Sequence, residues 1–463
     1  MSLSLLRTRS PAAAGGIVAA FVALALAVVF VGSSGQHARS APSTPYTVST
    51  VLVGSGGAIG GLYQPISPTP NQATAFVLTH EDDNFIGGIP CVQLAQRGFT
   101  VLCVKSEFSQ QAAVTWDALA LDVSSSVAYL RGLGTVKKVL LVGYSGGGAI
   151  MSYYQNVAQN GLAACQATER LDPCGDDLAN LPPADGIVLL DAIPGIAFSD
   201  LTALDGSVVN EKNLRVRDES RDMFAAQNGY NPDGSSDYST AFVNRYTEAQ
   251  SAREDRLIAQ AQAARTRLDR GAGQFSNDAP MPVGRDDARI WEADLNLISH
   301  TKGKYPLISP DHPDGSAPQL VHSVRVPSAD PSANAEWDSR KGGFSVDSFL
   351  SVGAIKAPAL QITDDSITGI DWASSNTATV SNVSGVRSPM LIMSMTGHYW
   401  LVPSEMYYEA ATHASSKTLV FVEGASHGLT PCGACASTPG QFGDTVTEIF
   451  DYLTNWTHEH FAS

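Results

Sequence analysis

The feature that most constrains the fold is a regular alternation, from Thr47 onward, of short β-rich runs with longer helical patterns. Several runs are almost continuously apolar, as in ATAFVLTH at 73–80, which is typical of strands buried on both faces. This alternation predicts a mostly parallel sheet covered by helices on both sides. The predicted strands are 47–53, 58–63, 73–80, 99–105, 138–143, 186–191, 389–396 and 418–423, and the predicted helices are 89–97, 115–132, 147–160, 404–414 and 442–459.

The alternation stops between the sixth and seventh predicted strands, where the chain is rich in Asp, Asn, Pro and Gly. One long helical pattern at 239–270 has sparse apolar residues and mixed charges, which predicts a partly exposed helix. A disordered linker is the alternative, but the aromatic residues of the segment favour burial. We therefore predict a core in two parts, 45–194 and 389–463, with a cap at 195–388 inserted after the sixth strand. The aromatic residues are Trp291, Trp337, Phe344, Phe349 and Trp372.

The first 40 residues have the pattern of an export signal. Arg7 and Arg9 precede an apolar run at about 16–32, and a polar stretch of small residues ends near Ser40. This pattern predicts that 1–40 is a secretory signal peptide. The apolar run is about 17 residues long, the short limit for a membrane span, so an uncleaved anchor that tethers the protein to a membrane is the alternative. Both predict an exported protein, either secreted or associated with the cell envelope.

Charge and cysteine content narrow the partners and the compartment. The 463 residues carry a formal net charge of −16, and such a surface repels nucleic acid, so we expect no nucleic-acid partner. The six cysteines form an even set, which favours disulfides in an exported chain. The CxxC at 432–435 could instead be a redox pair or half of a metal site, but no second CxxC supports a metal. Proximity along the chain predicts the pairs 91–103, 165–174 and 432–435.

The strongest chemical signal is Gly143-Tyr144-Ser145-Gly146-Gly147, a G-x-S-x-G motif directly between a Val/Leu-rich strand and a helical pattern. In this motif the serine sits on a strained strand-to-helix turn, and small neighbours are needed because the turn leaves no room for side chains. The turn exposes the hydroxyl at the carboxyl end of the sheet. A chain with 41 glycines can contain the motif by chance as an ordinary turn, but its place after the fifth strand favours a nucleophile.

With Ser145, a later carboxylate and His427 in that order, the sequence resembles the α/β-hydrolase superfamily over 47–194 and 389–460. It is most similar to bacterial serine esterases and lipase-like hydrolases that carry a large insertion. The resemblance implies an eight-stranded, mostly parallel sheet and Ser-His-acid hydrolysis with no metal and no cofactor. Dehalogenases and epoxide hydrolases of this superfamily usually have an aspartate nucleophile, and Ser145 argues against both.

The resemblance also implies the partners of Ser145. His427, in FVEGASHG just after the eighth strand, lies where this fold has its base. The acid usually follows the seventh strand, where the first carboxylate is Glu405, in TGHYWLVPSEM. Asp191, at the end of the sixth strand, is the second choice, and the aspartates late in the cap are the third. This third group contains Asp364, Asp365 and Asp371.

The oxyanion hole of such an enzyme needs two backbone N–H donors. We expect one from Gly146, the residue after the nucleophile, and the other from Glu81 or Asp82 in the loop THEDDNF. His80-Glu81 replaces the His-Gly of many relatives, so acidic side chains stand beside this site. They would face solvent or bind a cationic part of the substrate.

These expectations converge on an exported serine hydrolase that cleaves a small-molecule carboxylic ester through an acyl-enzyme. A serine peptidase or an acyltransferase would use the same residues. A non-catalytic envelope binding protein on a hydrolase fold is the remaining alternative, since no aspartate follows the seventh strand.

Overall fold

The computed structural model describes residues 43–54, 57–81, 83–105, 115–272, 275, 277–281, 283, 288–327 and 344–461. The predicted leader at 1–40, Asp82 and Trp337 lie outside the described residues.

Strands and helices are numbered here in chain order over the described residues. The strands are β1 Tyr46–Val53, β2 Ala58–Pro65, β3 Thr74–Leu78, β4 Thr100–Lys105, β5 Lys138–Tyr144, β6 Gly186–Leu190, β7 Pro280–Met281, β8 His300–Tyr305, β9 Leu307–Ile308, β10 Gln319–His322, β11 Phe344–Ser345, β12 Gln361–Ile362, β13 Ile367–Thr368, β14 Met390–Met395 and β15 Lys417–Val422. The helices are α1 Ile89–Gln96, α2 Trp116–Gly132, α3 Gly147–Asn160, α4 Ile196–Ala203, α5 Thr240–Asp269, α6 Ile290–Ala293, α7 Val346–Ser348, α8 Thr379–Val383, α9 Leu401–Ala410 and α10 Thr445–Phe461.

A central sheet has the strand order β1-β2-β4-β3-β5-β6-β14-β15-β9. β2 is antiparallel to both β1 and β4, and every later neighbouring pair is parallel. The eight predicted strands all occur, and the parallel sheet with its helices is confirmed. A ninth strand was not predicted, because the two residues of β9 come from the insertion and pair only with the end of β15.

The alternation of side chains along each strand builds two cores, one on each face of the sheet. On β5, for example, Val139 and Leu141 face a cluster that includes side chains of α2 and α3. Leu140 and Val142 face the opposite cluster, which includes side chains of α1 and α10. The central strands are therefore buried on both sides, which explains their continuous apolar sequence.

The insertion shares its core with the sheet. The described residues between 43 and 461 form one compact unit, and side chains of α4, α5 and α6 belong to the same apolar cluster as those of α2 and α3. α5 confirms the predicted long helix, with a buried face that begins at Phe242 and Val243. The same face also buries charged residues, Arg253 and Glu254, which the sparse apolar pattern did not indicate.

Three disulfides pair Cys91 with Cys103, Cys165 with Cys174, and Cys432 with Cys435, as predicted from their spacing. Among the described helices, none combines the length and the apolar character needed to span a membrane.

Candidate active site

The turn that carries Ser145 is sterically closed to larger residues. Ser145 has a φ of 55°, in the left-handed region that non-glycine residues rarely adopt. A Cβ on Gly143 would lie 2.5 Å from the Cα of Gly148, and one on Gly147 would overlap the carbonyl oxygen of Thr79. The glycines therefore allow β5 to pass directly into α3, and the strained turn holds the serine hydroxyl out of the sheet.

His427 lies in the loop after β15, within reach of the serine. Its Nε2 accepts a hydrogen bond from Oγ of Ser145 at 2.9 Å. The hydroxyl of Tyr144 donates to the backbone carbonyl of His427, and the two rings lie 5.3 Å apart. Tyr144, the variable residue of the motif, thus anchors the histidine loop to the nucleophile turn.

Asp191 supplies the carboxylate behind the histidine. Nδ1 of His427 donates to Oδ2 of Asp191 at 2.6 Å. Oδ1 of the same carboxylate accepts the N–H of Met395 at 3.2 Å and the hydroxyl of Ser394 at 3.3 Å. Asp191 is fully buried and also has a positive φ, of 44°, immediately after β6. The structure thus joins Ser145, His427 and Asp191 in one chain of hydrogen bonds.

The expectation that Glu405 contacts His427 is wrong. Both of its carboxylate oxygens are used inside the insertion, by the N–H groups of Lys302 and Gly303 at 2.9 and 2.7 Å and by the hydroxyl of Tyr305 at 2.9 Å. Glu405 lies within α9, so its side chain follows the helix face that packs on β8 rather than the end of the sheet. Its physical role here is to tie the insertion to the core.

The aspartates late in the cap are also not at the site. Oδ1 of Asp365 accepts the hydroxyl of Thr363 at 3.1 Å, and Asp364 lies 3.5 Å from His300. Asp371 precedes a short helical turn, and its backbone carbonyl accepts a hydrogen bond from the hydroxyl of Ser374. Of the carboxylates proposed from the sequence, Asp191 is the one that meets His427.

A second histidine, His398, contacts the same carboxylate, and the sequence analysis did not predict this contact. Its Nδ1 lies 2.7 Å from Oδ2 of Asp191, and its ring stacks on that of His427 with centroids 4.2 Å apart. The sequence position of His398 could have indicated this contact, because His398 closely follows β14 and the ends of β14 and β6 are neighbours in the sheet.

Charges around Asp191 are consistent with an ionised carboxylate. Burial alone would raise the pKa of Asp191, but the imidazoles of His398 and His427 outweigh it and hold the pKa well below its usual value. Burial lowers the pKa of His398, in spite of the attraction of Asp191. Asp191 is therefore an anion at neutral pH, and His398 is a neutral imidazole beside it.

The cluster of Asp191, His398 and His427 also has the composition of a metal site. The two nitrogen–oxygen distances of 2.6 and 2.7 Å are hydrogen-bond distances. Ligands of a tetrahedral zinc ion lie roughly 3.3 Å from one another, given metal–ligand bonds of about 2.0–2.2 Å. The described arrangement therefore fits a hydrogen-bonded group and not a metal cage.

A cavity of about 220 Å³ opens above Ser145 at the carboxyl ends of the strands. It combines apolar walls with two charged side chains, Glu81 and Arg289. The carboxylate of Glu81 lies so close to Gly146 that a Cβ on this glycine would overlap it, and Oε2 lies 3.0 Å from Nδ1 of His80. The residues that line the cavity are Glu81, Ser145, Gly146, Ile193, Ile196, Ser199, Arg289, His398, Tyr399, Trp400 and His427.

The expected oxyanion donors are placed only in part. Gly146 immediately precedes α3, where the first N–H groups of a helix have no partner within the helix. Glu81 lines the same cavity, and its carboxylate lies beside Gly146. The sequence analysis expected this side chain to face solvent or to bind a cationic part of the substrate. Asp82 is outside the described residues. The donor role of Gly146 and Glu81 stays a prediction.

Three features decide the fold. They are the strand order of the sheet, the strained serine between β5 and α3, and the histidine that follows β15. The chain has the α/β-hydrolase fold. Comparisons with protein-family models and with curated protein sequences find no match for the chain.

Solved structures of this fold show a distant likeness. DcsB in complex with its substrate analogue is 11% identical, with a TM-score of 0.40 and coverage of 90% of this chain and 100% of that one. Est1E from Butyrivibrio proteoclasticus is 9% identical, with a TM-score of 0.38 and coverage of 91% and 100%. Proline iminopeptidase from Mycobacterium smegmatis is 12% identical, with a TM-score of 0.37 and coverage of 89% and 98%. At such low TM-scores these likenesses carry no argument about the chemistry of this chain.

Proposed function

We propose that the protein is a serine hydrolase that cleaves a carboxylic ester through an acyl-enzyme on Ser145. The observation that carries the proposal is the unbroken chain of hydrogen bonds from Ser145 through His427 to the buried Asp191. A serine hydroxyl is a weak nucleophile at neutral pH and needs such a base beside it.

In the proposed reaction, His427 accepts the Ser145 proton at Nε2 as Oγ attacks the acyl carbon. Asp191 fixes the tautomer, with the proton on Nδ1, and stabilises the imidazolium that forms. The N–H of Gly146, at the positive end of α3, stabilises the oxyanion. His427 then protonates the leaving alcohol, and water activated by the same nitrogen releases the acid and restores Ser145.

The cavity supports a small substrate. Its volume of about 220 Å³ is below the range of roughly 300–1,000 Å³ that is usual for drug-sized ligands. Ile193, Ile196 and Trp400 supply apolar contact for a short acyl group, while Glu81 and Arg289 supply charges for a polar substituent. We therefore propose a short-chain ester with a polar or charged group.

The proposal includes export. Three disulfides fit an oxidising compartment, and the first 40 residues have the pattern of a signal peptide. Fractionation of cells that express the full chain, followed by sequencing of the protein's N-terminus, tests both the compartment and the cleavage near Ser40. Recovery of the chain from the cytoplasm with its leader intact would contradict export.

Labelling with a fluorophosphonate, which reacts with activated serines, tests the catalytic proposal. The wild type should react, whereas Ser145→Ala and His427→Ala should not. Glu405→Gln is the matched control and should be labelled like the wild type. A folded wild-type protein that is not labelled would overturn the proposal in favour of a non-catalytic binding protein.

Matched substrates distinguish an esterase from a peptidase and from an acyltransferase. A set of p-nitrophenyl esters with acyl chains of two to eight carbons should be hydrolysed, with the highest kcat/KM for the shortest chains. The corresponding p-nitroanilides test for a peptidase, and added alcohols test for an acyltransferase. Faster turnover of an amide than of its ester would reassign the protein as a peptidase.

A further inference from the structure

The sheet itself brings His398 to Asp191. β14 runs parallel to β6, and Met393 is the partner of Leu190 in the register. The N–H of Asp191 donates to the carbonyl of Met393 at 2.7 Å, which continues the pairing one residue beyond β6. The turn after β14 then returns His398 over the carboxylate, so that His398 and His427 approach one oxygen, Oδ2, from two neighbouring strand ends.

The short contact identifies the protonated nitrogen of His398. A carboxylate oxygen only accepts, so an imidazole nitrogen 2.7 Å from it must carry the proton. The contact of His427 has the geometry of a hydrogen bond, whereas that of His398 does not reach it. His427 therefore interacts more strongly with Oδ2, and His398 makes a weaker, electrostatic contact with the same atom.

The surroundings keep His398 in place as a neutral ring. It is 9% exposed, and the centroid of its ring lies 3.9 Å from that of Tyr399 and 4.2 Å from that of His427. Asp191 is the charged side chain recorded in contact with His398, and Arg325 also acts on His398 electrostatically. The other ionisable groups around the cluster are Tyr144 and Tyr407 near Asp191, and Glu81 and Arg289 in the cavity wall.

We propose that His398 is a positioning residue, whose Nδ1–H holds Oδ2 of Asp191 and reduces the pull of this oxygen on His427. A donor on the carboxylate withdraws part of the negative charge that would otherwise stabilise the imidazolium of His427. Without this donor, the whole charge of Oδ2 would act on the Nδ1–H of His427.

Two substitutions separate the proton of His398 from its ring. His398→Phe keeps an aromatic ring against His427 but removes the donor. His398→Asn removes the ring but places an amide N–H near the position of Nδ1. The experiment measures the midpoint at which the His427 ring titrates, by NMR of histidine-labelled protein, and the acid limb of the pH profile for fluorophosphonate labelling.

The expected result is an upward shift of both midpoints in His398→Phe, by about 0.5–1 pH unit, and midpoints close to the wild type in His398→Asn. A purely structural role would lower the rate or the stability of both variants without moving either midpoint, and this outcome would overturn the proposal. A shift in His398→Asn but not in His398→Phe would also overturn it, because the stacked ring would then be the cause.

The wild type alone offers a further measurement if His398→Phe does not fold. Nitrogen chemical shifts should show His398 protonated on Nδ1 at neutral pH, and an unprotonated Nδ1 would contradict the inference. The kinetic readout rests on the proposed function, but the NMR titration does not. A wild type that is unreactive towards fluorophosphonate would therefore overturn the function and still leave the role of His398 testable.

Discussion

Replacing Asp191 by Asn should nearly abolish the reactivity of Ser145, and the contacts of Asp191 show why. Oδ1 accepts the N–H of Met395, so the amide oxygen of an asparagine must occupy this side. The amide NH₂ group then points from the Oδ2 position towards Nδ1 of His427. Since this nitrogen can no longer donate, the proton of the neutral ring moves to Nε2, the atom that now accepts from Ser145.

The magnitude follows from the loss of the base. An imidazole protonated on Nε2 cannot take the Ser145 proton, and the comparable change in a serine protease lowers kcat by about 10⁴-fold. At about 1.4 kcal/mol for each factor of ten, this is about 5.5 kcal/mol of transition-state stabilisation. We expect the rate of fluorophosphonate labelling and kcat for a short p-nitrophenyl ester to fall by about this factor.

Glu405→Gln is the informative control, because its carboxylate was the acid expected from the sequence. It should keep the labelling rate within a few fold of the wild type. It should lose about 1–3 kcal/mol of stability in urea unfolding, since Lys302 and Gly303 would share a neutral amide in place of a carboxylate. If Asp191→Asn stayed active and Glu405→Gln did not, the assignment of the acid from this geometry would be refuted.

Two further predictions concern stability. Burial, followed by the neighbouring charges of Asp200 and Asp255, raises the pKa of Glu254 well above its ordinary value. The stability that this raised pKa contributes is therefore complete below about pH 4, the pKa of a glutamate in the unfolded chain. It is lost as the pH rises from there towards the pKa of Glu254 in the folded protein, by up to about 1.4 kcal/mol per pH unit. Glu254→Gln should flatten this fall in urea unfolding between pH 4 and pH 7, and equal slopes for both proteins would contradict the reasoning. Replacing both Cys432 and Cys435 by Ser should cost about 2 kcal/mol, because their disulfide closes a very short loop. The double substitution should also slow fluorophosphonate labelling, because the loop that carries His427 directly precedes this disulfide. If the unfolding midpoint and the labelling rate both stayed unchanged, the disulfide would not stiffen the loop.

Much of the core could be predicted because its signals are local. A buried parallel strand shows as a short apolar run, and the strained turn at Ser145 needs glycine neighbours that are visible in the sequence. His427 followed from its position after β15. These features depend on a few adjacent residues, and the structure places them as expected.

The acid could not be assigned in the same way, because its position depends on packing between distant elements. Asp191 and Glu405 both follow strands whose ends are adjacent. Three donors inside the insertion, from 302 to 305, turn Glu405 away from the site, and no sequence pattern showed that this segment would reach α9. The contact of His398 with Asp191 likewise depends on the register between β6 and β14.

The pairing of β9 with β15 has a consequence for attempts to shorten the protein. β15 has the sequence KTLVFV, and without the insertion its outer edge would present unpaired backbone groups to solvent. Exposed apolar edge strands recruit strands from other molecules and promote aggregation. The two residues of β9 pair with this edge at the end nearest His427. The insertion therefore protects part of the sheet edge and also forms a wall of the cavity. A minimal hydrolase made by deletion of 195–388 would need a charged residue or a proline on β15 to remain in solution.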